Sequence, residues 1–183
     1  MNFIKTEIEG VFIVEPRIFA DERGYFFESY NQEAFDAAGI AARFVQDNQS
    51  QSSYGVIRGL HCQTGEHAQA KLVRVIEGAV LDVAVDIREG SKTFGKYVAA
   101  ELSAENKRQL FIPRGFLHGF SVLSETAVFA YKCDNLYCKE SETGVRYDDK
   151  DIGIDWQIPA DKVIVSEKDM LHGGLKDVAH YRG

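Results

Sequence analysis

The chain is poor in cysteine, with only Cys62, Cys133 and Cys138 among 183 residues. An odd number excludes a complete disulfide framework, so the three read as free thiols. Cys133 and Cys138 lack the close pairing of a zinc site, and only one further cysteine exists. No apolar run approaches the length of a membrane span. Met1 to Gly10 lacks a basic segment followed by an apolar core, so no signal peptide is read there. These absences point to a cytoplasmic protein without a membrane partner. Basic charge is also short: 21 Lys and Arg stand against 28 Asp and Glu, a formal net charge of -7. That argues against broad electrostatic binding of nucleic acid. It leaves room for a local basic pocket for a small anion, with Arg23, Arg58, Lys71, Arg74 and Arg114 as candidates. No repeat, low-complexity tract or linker divides the chain, and one domain over 1–183 is expected.

What is present is strand signal. Val11 to Val14 is a short apolar run ended by Glu15-Pro16. Asp21-Glu22-Arg23-Gly24 reads as a turn, and Tyr25 to Tyr30 as an aromatic strand. Asn31 is placed to cap a short helix through Ala38, with Gly39 as its stop. Phe44 to Ser53 is rich in Gln, Asn and Ser and reads either as a loop or as amide groups lining a polar site. From Lys71 the pattern is plainly β. Leu81, Val83, Val85 and Ile87 alternate with Asp82, Ala84, Asp86 and Arg88, as in a half-buried strand. Lys96 to Leu102, Arg108 to Ile112, Phe116 to Leu123 and Thr126 to Cys133 continue the series, and Ala127, Phe129, Tyr131 and Cys133 share one face of the last. Many short strands between turns predict an all-β fold, a jelly-roll barrel with a few short helices.

Two motifs carry chemistry. Arg58-Gly59-Leu60-His61-Cys62-Gln63, followed by Lys71, gathers a guanidinium, an imidazole, an amide and an ammonium. An imidazole is the side chain best suited to moving protons near neutral pH. Pro113-Arg114-Gly115-Phe116-Leu117-His118 has the form Pro-x-Gly-x-x-His, which resembles the second motif of the cupins. The first cupin motif would need a second imidazole where Gln63 stands. His61, Glu66 and His118 are the residues from which a metal set would have to be built, and their spacing is broken, so no metal is expected.

Taken together, the stretches resemble the dTDP-4-dehydrorhamnose 3,5-epimerase family. The matching pieces are Phe19 to Glu28, Gln46 to Ser50, Arg58 to Gln63, Lys71, Pro113 to Phe120, Tyr131, Gly153 to Trp156 and Val165 to Asp169. Their joint order runs almost end to end. The resemblance implies a cupin-like jelly roll, usually a homodimer, that inverts C3 and C5 of a dTDP-linked 4-keto-6-deoxy sugar with no cofactor. Protons flanking the C4 ketone would leave to give an enolate and return on the other face. His61 matches the family's base, Asp169 its carboxylate partner and Tyr131 its proton donor; Lys71 would stabilise the enolate. For the nucleotide sugar, Arg23 and Arg58 match diphosphate positions. Phe19 and Phe26 would pack on thymine or deoxyribose, Glu28, Gln46 and Asn48 would make polar contacts, and His118 would contact the sugar. Cys62 and Met170 stand where the family commonly has an aromatic residue and an arginine. The alternatives are an enzyme inverting one carbon only, a ketoisomerase, or a non-catalytic cupin that binds a sugar nucleotide or a metal.

Overall fold

A computed structural model describes residues 1–182. Two antiparallel sheets face each other. One runs β1 (Asn2–Lys5), β2 (Phe12–Glu15), β10 (Gln109–Ile112), β7 (Lys71–Glu77), β12 (Thr126–Cys133), β5 (Gln46–Ser53) in spatial order. The other runs β13 (Glu142–Gly144), β6 (Ile57–Gln63), β11 (Phe116–Val122), β8 (Ala79–Asp86), β9 (Tyr97–Ser103). Such crossed order of short strands in two packed sheets is the jelly roll expected above. A separate hairpin, β3 (Ile18–Asp21) and β4 (Gly24–Phe27), turns at the expected Asp21–Gly24.

Three apolar layers result. Between the sheets lie Val73, Val75, Val80, Ala84, Leu110, Phe120 and Phe129. Outside the six-stranded sheet, α1 (Gln32–Ala37) buries Phe35 against Val14, Leu72 and Phe111. Asn31 caps that helix as expected, its side chain accepting from the Ala34 N–H at 3.2 Å, and Gly39 ends it at φ 80°. Outside the five-stranded sheet, the chain beyond Val145 lays Trp156, Leu175 and Val178 over Leu81, Val83, Val85 and Ile87.

That third layer corrects one expectation. β8 is not half-buried; it is buried on both faces, Asp82 and Asp86 included. The alternating pattern was real, but neither face meets water: the tail covers Leu81, Val83, Val85 and Ile87, and the phase of Asp82 and Ala84 faces the other sheet. A second correction concerns Gln46 to Ser53, which is strand β5 and not a loop. Its ladder to β12 supplies the order that its polar side chains do not announce. Among the described residues, no helix is long and apolar enough to cross a membrane.

Candidate active site

The two sheets part around a cavity of about 520 Å³. β6 and β11 form one wall, and there His61 and His118 are register partners. Glycine makes this wall possible. Gly59 has φ 118°, and a Cβ on it would fall 2.6 Å from the Gly119 Cα and 2.7 Å from the His118 carbonyl oxygen. The two backbones therefore touch where a side chain would hold them apart. The pairing shifts register between His118 and Phe120 at this point, as in a bulge.

His61 is hydrogen-bonded through Nε2 to Asp169 Oδ1 at 2.7 Å, across 108 residues of sequence. Asp169 sits on α2 (Glu167–Met170), a single turn that Ser166 caps by accepting the Asp169 N–H at 3.1 Å. The Gly59 N–H also points at Asp169 Oδ2, at 3.5 Å. Burial alone would raise the Asp169 carboxyl; the hydrogen bond and charge of His61 outweigh it and hold the group below its ordinary pKa. A residue that reads as a solvated charge in Ser-Glu-Lys-Asp is thus a buried carboxylate aimed at an imidazole.

Behind it lies a second pair. His118 Nε2 meets Asp82 Oδ2 at 2.9 Å, with both side chains almost fully buried. Burial drives the Asp82 carboxyl up and the His118 imidazole down. The opposite wall carries Lys71 of β7 and Tyr131 of β12, with the ammonium 5.7 Å from the phenol ring centre. Burial raises the Tyr131 phenol, so it is protonated at neutral pH and able to donate. At the rim, Arg58 donates from Nε to Ser52 Oγ at 2.9 Å and from Nη2 to the Gln51 carbonyl at 3.3 Å. Both acceptors are neutral, which keeps the guanidinium's charge available for an anion.

The cavity therefore gathers His61, Lys71, Tyr131, Asp169, Arg58 and His118. It does not gather the rest. Asn48 lines an adjoining depression of about 290 Å³ that shares Gln49 and Tyr131 with the main cavity. Gln46 donates to Asn48 Oδ1 at 3.1 Å and accepts the Tyr137 N–H at 3.1 Å. Glu28 accepts from Asn31 at 3.2 Å. Phe19, Arg23 and Phe26 stand on the β3–β4 hairpin, which lines a surface hollow of its own; Phe19 is 51% and Phe26 68% exposed, and Arg23 pairs with Asp21. Glu66 turns outward, its side chain 90% exposed. Met170 is partly exposed, and its carbonyl accepts from Arg146 at 3.1 Å.

Sequence reasoning missed Glu142, Ser166 and Lys168, which also line the cavity. Glu142 accepts from Tyr137 Oη at 2.9 Å and from Lys168, which holds its carboxyl below the ordinary range against the opposing effect of burial. A signal for Ser166 was present: Ser-x-x-Asp is a helix-start pattern.

This geometry can be set beside known proteins. A family model described as dTDP-4-dehydrorhamnose 3,5-epimerase matches residues 5–177. A Shigella flexneri protein named dTDP-4-dehydrorhamnose 3,5-epimerase is 56% identical over 171 residues, 93% of each chain. The chain belongs to the dTDP-4-dehydrorhamnose 3,5-epimerase family. Solved structures agree with that placement in the epimerase family. The Elizabethkingia anophelis dTDP-4-dehydrorhamnose 3,5-epimerase superposes with a TM-score of 0.93 at 58% identity, covering 97% of each chain. The Legionella pneumophila dTDP-6-deoxy-D-glucose-3,5-epimerase, solved with dTDP-4-keto-L-rhamnose, gives a TM-score of 0.95 at 48% identity, covering 100% of this chain and 98% of that one.

Proposed function

We propose that the chain converts dTDP-4-dehydro-6-deoxy-D-glucose into dTDP-4-dehydro-L-rhamnose, inverting C3 and C5 without a cofactor, in the synthesis of dTDP-L-rhamnose. The observation that carries this reading is the buried Asp169 behind His61 on one wall, with Tyr131 and Lys71 on the other. Asp169 holds the His61 ring by one nitrogen and stabilises it when it takes a proton. His61 removes the proton at C3, and the electron pair moves onto the C4 oxygen. Lys71 balances that enolate charge. Tyr131 returns a proton on the other face of C3, and His61 and Tyr131 re-equilibrate with solvent. The same exchange at C5 completes the reaction. Arg58 binds the diphosphate, with Gln46 and Asn48 near the base and sugar and His118 against the hexose.

The hairpin is assigned to a second copy of the chain. Phe19, Arg23, Phe26 and Glu28 lie away from their own cavity, and an exposed aromatic hairpin is suited to lie across a neighbour's. The active unit is thus a homodimer, each copy one domain spanning 1–183, working in the cytoplasm. Gly183 lies outside the described residues.

Reaction in heavy water tests the chemistry. Two solvent deuterons in the product are expected, one at C3 and one at C5. One deuteron would favour a single-carbon epimerase, and none would sink the proton-transfer reading. Tyr131→Phe is expected to retain some exchange while forming little doubly inverted sugar; normal yield from that variant would remove Tyr131 from the donor role.

A further inference from the structure

The tail that delivers Asp169 also delivers a residue for which the reaction has no use. His172 follows α2 closely, and its ring meets that of His61 edge-on, with centres 5.6 Å apart and planes at 66°. Its Nε2 is buried and has no hydrogen-bond partner among the described residues. The ring packs on Gly144 so tightly that a Cβ there would fall 2.7 Å from Nε2. Glu142 stands on the same short strand, β13. One ligating atom from each of His61, Glu142 and His172 lies within 4.8 Å of the others.

We propose that His61, Glu142 and His172 form a binding site for a divalent transition-metal ion, Zn²⁺ fitting best, and that the bound ion switches the enzyme off by occupying His61. Two imidazoles and one carboxylate are a donor set that suits Zn²⁺ and its neighbours and not Mg²⁺ or Ca²⁺, which take oxygen. Bonds of about 2.0–2.2 Å put tetrahedral ligands roughly 3.4 Å apart, so side-chain rotations closing about 1.4 Å or less complete the set. The support for the ligand is already built. Asp169 engages Nε2 of His61 at 2.7 Å, which leaves the other ring nitrogen for an ion. Metal-bound histidines characteristically carry such a carboxylate on the far nitrogen. Glu142 must give up Lys168, but that ammonium belongs to a mostly exposed side chain and returns to water at little cost. The two carboxylates, Glu142 and Asp169, balance the charge of the ion.

This site differs from the cupin set of His61, Glu66 and His118: it shares one histidine and takes its other ligands from β13 and the tail. Its effect on rate rests on the proposed role of His61; binding itself does not.

Calorimetric titration of metal-stripped protein with Zn²⁺ is expected to show a single site per chain. His172→Gln, which fills a similar volume, should weaken binding by at least about tenfold, the lower end of what supporting residues alone contribute. Zn²⁺ should inhibit the parent and be reversed by chelator, while His172→Gln keeps its basal rate and resists inhibition. Equal Zn²⁺ affinity in parent and variant would overturn the site. Binding lost in His172→Gln with a parent rate indifferent to bound Zn²⁺ would uphold the site and overturn the switch. Should His172→Gln melt well below the parent, imidazole NMR signals of the parent decide: His61 and His172 must shift together on Zn²⁺ addition, and movement elsewhere alone would refute the proposal.

Discussion

Two histidine–aspartate pairs stand side by side on β6 and β11, built from the same side chains at nearly the same distance, 2.7 Å and 2.9 Å. Their surroundings separate them. His61 is 29% exposed and its carboxylate arrives on a one-turn helix from the tail. His118 is 8% exposed and its carboxylate belongs to the next strand of the sheet, β8. The outer aspartate is held below its ordinary pKa, the inner one above. One pair keeps an ionised carboxylate next to a ring that reaches the cavity. The other is withdrawn from water, and burial favours the uncharged form of each of its groups. Solvent access and the origin of the carboxylate, not the identity of the pair, set the pair proposed to move protons apart from the other.

The sharpest way to break this comparison is to remove each histidine in turn. His61→Ala should abolish deuterium exchange at both C3 and C5, a loss of about 10²–10⁴-fold or more, while the protein still folds and binds dTDP. Exchange retained at both carbons would mean that the outer pair is not the base. Next in size comes Asp169→Asn, which keeps the shape but deletes the charge. A loss of roughly ten- to hundredfold in rate is expected, smaller than for His61→Ala. It has a pH signature. Because the folded pKa of Asp169 lies below its unfolded value of about 3.9, its stabilising contribution is complete above that value and is lost as pH falls through the folded pKa. The stability gap between parent and Asp169→Asn, read by thermal melts, should therefore close as the pH drops below about 4. A gap that widens in acid would reverse the assigned direction.

The smallest effect belongs to the inner pair and is one of stability. His118→Ala leaves Asp82 buried without its partner and should cost about 1–3 kcal/mol by denaturant unfolding. An unchanged midpoint would show that Asp82 finds another partner and that the inner pair is dispensable to the wall.

The outer pair was only half legible in the sequence. His61 stood out because it sits between Arg58 and Lys71 beside an alternating strand. Asp169 did not, since in Ser-Glu-Lys-Asp it is one charge among several; only family resemblance named it. The inner pair was hidden for another reason. Asp82 falls on the polar phase of an alternating strand, and alternation says water unless something covers that face. What covers it is the facing sheet, because Asp82 shares its phase with Val80 and Ala84 between the sheets. The apolar phase is covered instead by the tail after Val145, whose mixed composition gives no periodic signal and whose order comes from Trp156, Leu175 and Val178 packing on the sheet. The same obscurity hid Lys168 and His172. β5 was ambiguous because its residues are polar in both phases, so its strand character rests on pairing with β12 rather than on burial. The helix at Asn31 and the hairpin turn at Asp21–Gly24 were legible because capping and turn chemistry are local.

The 108-residue separation of His61 and Asp169 also sets a schedule. A chain leaves the ribosome from its N-terminus at about 5–20 residues per second. Every strand of the two sheets except β13 is complete once Cys133 has emerged, yet the carboxylate that orients His61 follows a few seconds later. For that interval the strands that carry His61 and His118 exist without the carboxylate that bonds His61. The proposed chemistry waits for a segment made after the sheets that frame it.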